Sequence, residues 1–367
     1  MTKQRFSEVG VYSLGGHIED PKQGFAEVQD AENLGFGSLW ISERFSAKNA
    51  DVLCGATAAL CPTIGIAAGL IQNMVLRHPI VTAGFAATMA KISGDRFCLG
   101  VGRGTDSFAD ATGTSRLNFR IMQDYVQTLR ALWRGETVNY EGPLGRFTNL
   151  RLGVHLEKTP PIIMAAMGEK TLRWAGSFCD GVLFNSLWTP EAVERSVRFV
   201  REGAEQAGRD PKSVRIWTIL VSALDVPEEK MLNYVVRRMN TYILFPGMFD
   251  AICDANGWDK SKAVMLRDAL AKFDPPKASG TMGDESTTRD LDNLRRMAEL
   301  YPRAWLTEGN AIGTGADGAK GIQARLDAGA DGVLFHGSPP GELKTMMEAW
   351  AKVRPANLRE RPVNPGL

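Results

Sequence analysis

Short, almost continuous apolar runs alternate along the chain with longer segments whose apolar residues recur every three or four positions. The short runs cover residues 6–12, 37–42, 64–70, 96–101, 161–166, 181–185, 214–224 and 332–336. Runs apolar on both faces are what parallel strands covered by helices require. Helical patterns fill the intervals at 21–34, 51–60, 79–91, 115–133, 168–178, 190–207, 315–328 and 341–353. Asp20 before Pro21, and a second proline at Pro79, are helix-start signals, while Gly35 closes the first helix. In 115–133 the residues Ile121, Met122, Tyr125, Val126, Leu129, Leu132 and Trp133 form one core-facing stripe.

Eight strand–helix units imply parallel strands joined by right-handed crossovers, and favour a closed (β/α)8 TIM barrel over an open sheet. Residues 136–155, rich in glycine, read as a loop or hairpin before the fifth strand. After the seventh strand the chain runs longer than a barrel repeat needs. Residues 228–244 are helical by Met231, Val235, Val236, Met239 and Ile243, and 246–302 hold more helix and a polar stretch near 279–288. The expectation is one domain over 1–367 with a helical insertion at about 228–302. That insertion carries Tyr242, Phe245, Met248, Phe249 and Trp258, which suits a lid over a bulky apolar substrate or, equally, barrel decoration or a subunit contact.

Composition narrows the function. With 43 Lys+Arg against 42 Asp+Glu and no basic block, neither nucleic acid nor an anionic membrane is an expected partner. Five scattered cysteines and four unpaired histidines give no metal-ligand spacing, so no metal is expected and the thiols read as reduced core residues of a cytoplasmic protein. The first residues have no apolar signal core, and the weakly polar stretch 56–74 is broken by Pro62, Thr63, Gln72 and Asn73, so no membrane span is expected.

Ligands of such barrels sit at the carboxyl ends of the strands. Gly100, Gly102 and Gly104 follow the fourth strand, with Arg103, Thr105 and Asp106 among them; the pattern serves a tight turn or a close approach to a flat or anionic group. The fifth strand leads through Met167 and Gly168 straight into a helix, whose first amides, with Glu169, Lys170 and Thr171, can hold a phosphate or merely start a helix. Glu43 and Arg44 follow the second strand as candidates for proton transfer and anion binding, or as a structural pair. His17, His78 and His336 are positional candidates for acid–base work, each with a structural reading of at least equal weight.

Three segments, Ala31–Phe45, Arg77–Gly104 and Pro160–Asn185, together with Gly313–Gly337, resemble the luciferase-like monooxygenase superfamily, in particular its deazaflavin-dependent oxidoreductases. The likeness spans roughly residues 6–225 and 307–352. It implies coenzyme F420, or alternatively FMN, across the barrel mouth. Gly168, Glu169, Lys170 and Thr171 would surround its phosphate, flanked by Met167 and Asn185. Gly102, Arg103 and Gly104 would lie near its tail or ring edge, and Gly69–Leu70 would form a bulge behind the ring, often a non-proline cis peptide in relatives. Arg44 stands where many relatives have histidine, and Thr105 where some have glutamate, a departure from the family's sugar-phosphate dehydrogenases. The resemblance yields three readings. The first is hydride transfer between F420 and a small organic substrate, with Glu43 as proton-transfer group, Arg44 as anion holder, and Asp106 and His336 as further catalytic candidates. The second is an FMN monooxygenase served by a flavin reductase. The third is a non-catalytic flavin-binding protein. Relatives suggest a homodimer.

Overall fold

The computed structural model describes residues 5–15, 20–44, 48–71, 74–244, 246–273 and 288–367. Eight parallel strands close into a barrel: β1 (Phe6–Tyr12), β2 (Phe36–Ile41), β3 (Gly65–Ile71), β4 (Phe97–Val101), β7 (Ile162–Ala165), β8 (Gly181–Phe184), β9 (Arg215–Leu224) and β11 (Gly332–His336). Closure is made by β11 pairing with β1, Val9 opposite Val333 and Val11 opposite Phe335. Helices surround the strands, as the alternating pattern requires.

Two additions complete the strand count. A hairpin of β5 (Val138–Gly142) and β6 (Gly145–Leu150) stands before β7, where the sequence leaves loop or hairpin open. The short β10 (Asn310–Gly313), absent from the sequence-based expectation, pairs only with the top of β9, from Val221 to Leu224. β9 is ten residues long: its lower half belongs to the barrel and its upper half projects beyond the rim.

Three apolar clusters follow from this layout. Between strands and helices lies the largest, with Phe36, Phe97, Tyr125, Trp133 and Trp350 fully buried. Inside the barrel, Tyr12, Trp40, Ala67, Cys98, Ile163, Leu183, Trp217, Ile219 and Leu334 fill the bore. The two indoles meet edge-on with ring centroids 5.3 Å apart. Only glycine fits beside them: a Cβ at Gly332 would lie 2.6 Å from Trp217, and one at Gly69 2.6 Å from Trp40. The third cluster belongs to the insertion, whose helices Pro246–Asn256, Lys260–Leu270 and Leu291–Leu300 pack round Phe249, Leu266, Leu294 and Trp305.

The insertion begins with one helical stretch, Glu228–Met231, Leu232–Val236 and Arg237–Ile243, whose middle segment is π-helical. Such a widened turn inserts a residue and re-aims the side chains that follow. Among the described residues no helix is long and apolar enough to cross a membrane, and no three metal-ligating side chains cluster.

Candidate active site

At the carboxyl ends of the strands opens a cavity of about 340 Å³. One side is apolar: Leu70 near the end of β3, Ala165 at the end of β7 with Ala166 and Met167 after it, Phe184 at the end of β8, and Met248 from the insertion. The peptide bond Gly69–Leu70 is cis and lies in this wall. Gly102, Arg103 and Gly104 line the cavity next to it, and Asn185 and Thr171 continue the lining towards the helix Glu169–Phe178. At the start of that helix Gly168 has φ +60°, no side chain caps it, and a Cβ there would meet nothing within 4 Å. The first amides of the helix, at the positive end of its dipole, therefore have no side-chain cap.

The opposite side is polar. Tyr12 ends β1 and His336 ends β11; because these strands are neighbours, the two rings meet edge-on with centroids 5.0 Å apart. Arg238 reaches down from the insertion's first helix, and its Nη2 donates to Nε2 of His336 at 3.1 Å. An arginine can only donate, so the imidazole accepts at Nε2 and carries its proton on Nδ1. Nδ1 is buried and has no partner among the described residues. Burial first, then the cations Arg238, Arg44 and Lys48, push His336 well below the usual 6.5, so it is a neutral ring at pH 7. Burial also raises the Tyr12 phenol, with Tyr242 adding to the shift and Arg44 and Arg238 opposing it. Lys48 lies behind this wall, Nζ donating to the carbonyls of Ser13 (2.8 Å) and Gly15 (3.3 Å); burial, helped by Arg44, pulls its amine down to about 8.

The structure sorts the residues expected from sequence. Arg44, Gly69, Leu70, Gly102, Arg103, Gly104, Met167, Thr171, Asn185 and His336 line one cavity. Glu43 does not, and its expected place at the mouth is corrected. Its carboxylate is fully buried, ion-paired with Arg77, which also holds Asp51, and it accepts from the Ala50 amide at 3.3 Å. Burial raises its pKa, while Arg77 pulls the other way. Asp106 is likewise off the cavity, an exposed first-turn residue 2.6 Å from Arg103. Gly168, Glu169 and Lys170 form the helix start beyond the lining, and Glu169 bonds to Arg173 at 3.0 Å. His78 caps the helix Pro79–Ser93 through its ring nitrogen. His17 lies outside the described residues. Tyr12, Ser42, Arg238 and Thr241 are cavity residues that the sequence reading does not single out, whereas Tyr242 and Met248 of the insertion line the cavity as a substrate wall there would. Tyr12 is detectable as the last residue of the first strand, and Arg238 by its four-residue spacing from Tyr242 on one helix.

The sequence profile of the luciferase-like monooxygenase family matches residues 6–312. The chain belongs to this family. It is a luciferase-like oxidoreductase. The 5,10-methylenetetrahydromethanopterin reductase of Methanolobus tindarius is 29% identical over 258 residues, 70% of this chain and 77% of that protein. The coenzyme F420-dependent tetrahydromethanopterin reductase of Methanopyrus kandleri has the same fold, with a TM-score of 0.74 at 22% identity over 94% of this chain and 96% of that one. The FMN-bound oxygenating component of 3,6-diketocamphane monooxygenase from Pseudomonas putida is more distant in fold, with a TM-score of 0.63 at 17% identity over 98% of each chain.

Proposed function

We propose that this protein is an F420-dependent oxidoreductase transferring a hydride between the deazaflavin and a small organic substrate. The observation that carries the reading is the cavity itself, with an apolar wall ending at an open helix start and a cationic, hydrogen-bonding wall facing it across the strand ends. A planar ring with an anionic tail fits that division. Leu70, Ala165 and Met167 would pack against the ring. The amides of Glu169, Lys170 and Thr171, with the Thr171 hydroxyl and the Lys170 charge, would hold the phosphate. The bound deazaflavin would supply a two-electron hydride donor or acceptor.

The other residues act on the substrate. The Tyr12 hydroxyl reaches the cavity and has no hydrogen bond among the described residues, so it is the proton-holding group for a substrate oxygen. Arg44 and Arg238 would stabilise negative charge on the phenol or on that oxygen. Neutral His336 fixes Arg238. The insertion, through Arg238, Tyr242 and Met248, covers the mouth and limits water. Relatives matched in sequence and named as F420-dependent glucose-6-phosphate dehydrogenases, at 25–32% identity over 42–55% of this chain, support F420 over FMN, whereas the FMN monooxygenase shares only the fold at 17% identity.

The test is to purify the protein from a host that makes both cofactors and identify what it releases by absorbance and mass. F420 without FMN is the expected result; FMN alone would overturn the reading in favour of oxygen chemistry.

A further inference from the structure

A second cavity, of about 210 Å³, adjoins the first, and Arg238, Thr241 and His336 belong to both. Its other lining includes Asn233, Tyr234 and Arg237, which share one side of the insertion's first helix just where the π-helical turn ends. No aspartate or glutamate is among the described lining residues of either cavity, although arginines line both, in a chain whose net charge is only +1. The guanidinium of Arg238 is paired with a neutral imidazole and lies 5.9 Å from the Tyr242 ring, and no described carboxylate neutralises it. A half-buried arginine held this way is a ready partner for an oxyanion.

Strand order places this annex. Round the barrel the strands run β1, β2, β3, β4, β7, β8, β9, β11. The open helix start and Arg103 follow β7 and β4, while His336 and the Arg238 helix follow β11 and β9. The two positive regions therefore sit apart round the mouth, separated by two strands (β7 to β9) to four strands (β4 to β11). One anion-binding end is taken by the cofactor tail in the function proposed above; the other is left for something else.

We propose that the annex is an anion subsite, in which Arg238 holds a carboxylate or phosphate ester at one end of the organic substrate; the Tyr234 hydroxyl beside it is engaged with Glu342 at 3.3 Å. The assignment to substrate rests on the proposed oxidoreductase reading; the anion site itself does not. The acid is thereby anchored away from the cofactor tail, and the substrate's apolar body lies over Tyr12 and Ile219, between anchor and ring. The rest of the wall fits such a ligand: Arg44 and Lys48 add to the positive field, and a neutral His336 accepts from Arg238 without competing for the anion.

The experiment is calorimetric titration of the purified protein, with and without saturating F420, using benzoate, phenyl phosphate and the neutral benzamide as probes. Benzoate or phenyl phosphate should bind, benzamide should bind at least about 10-fold more weakly, and F420 should leave anion binding in place. Arg238→Met should weaken the anion about 10-fold or more, with Arg238→Lys intermediate, and thermal unfolding checks that both variants fold. Whichever anion binds more tightly names the group. Equal affinity for benzamide, equal affinity in Arg238→Met, or displacement of the anion by F420 each overturns the proposal. Failure of F420 to bind while the anion still needs Arg238 would sink the cofactor reading and leave the subsite standing.

Discussion

The indole Nε1 of Trp217 donates to the carbonyl oxygen of Pro365 at 2.7 Å, fastening the interior of β9 to a segment 148 residues further along the chain. Around that bond the final residues close the amino end of the barrel. Asn364 donates to the carbonyls of Asp95 and Phe97, and the Val363 carbonyl lies where a Cβ on Gly65 would be, 2.0 Å away. Removing residues 363–367 leaves the indole N–H buried and unpaired. The expected loss is about 1–3 kcal/mol from that group alone, read as a lower urea midpoint. Gly65→Ala should destabilise in the same assay, by pushing this segment off the barrel.

A buried ion pair joins segments 346 residues apart in the chain. Arg354 Nη2 and the Trp350 indole each donate to Glu8 at 2.7 Å, and both charged side chains are fully buried. Arg354→Met strands the carboxylate and should cost about 3–5 kcal/mol, whereas Glu8→Gln combined with Arg354→Met should cost less than the sum of the two single changes. A double-mutant cycle in urea decides it.

Glu43 gives a prediction opposite to its sequence reading. Glu43→Gln weakens its ion pair with Arg77 and should lower the melting temperature. The pH profile of kcat should keep its shape, because the carboxylate does not reach the cavity. Tyr12→Phe should do the reverse, lowering kcat by about 10²-fold or more at unchanged melting temperature.

His336 links stability to pH. Its folded pKa is depressed below 6.5, so between that folded value and 6.5 the unfolded chain binds the extra proton. Stability is therefore full above 6.5 and falls as the pH drops below it. Wild-type protein should lose melting temperature between pH 7 and 5 more steeply than His336→Asn. Equal slopes would show that the imidazole is not held neutral.

Thr171→Val removes one hydroxyl at the helix start that the cofactor reading assigns to the phosphate. F420 affinity should fall about fivefold with no change in melting temperature. Gly168→Ala adds strain at φ +60° and should weaken F420 further.

The barrel was legible because its strands are buried on both faces. Apolar runs such as 214–224 cannot be mistaken for amphipathic helix, and all eight were placed within one or two residues. β10 escaped notice because Asn310–Gly313 offers only Ala311 and Ile312 as apolar signal and owes its conformation to the overhanging rim of β9. The short helix Asp106–Thr112 is hidden among the glycines and polar residues of its loop. In the site, backbone-determined positions were readable: glycines, helix starts and strand ends have local signatures. Charge partners were not. Glu43 looks like an acid at the mouth until Arg77, 34 residues away, is brought against it, and Arg238 looks like a surface helix residue until the chain folds back over His336.

Closure by β1 against β11 has a consequence for biosynthesis. The register of Val9 with Val333 spans more than 300 residues, so a ribosome must release all of that chain before the first strand finds its second neighbour. Until then Val9 and Val11 lie on an unprotected edge, and long-range pairing of this kind is slow and aggregation-exposed. Yield in a foreign host should therefore respond to growth temperature and chaperone supply more than to codon choice near the start.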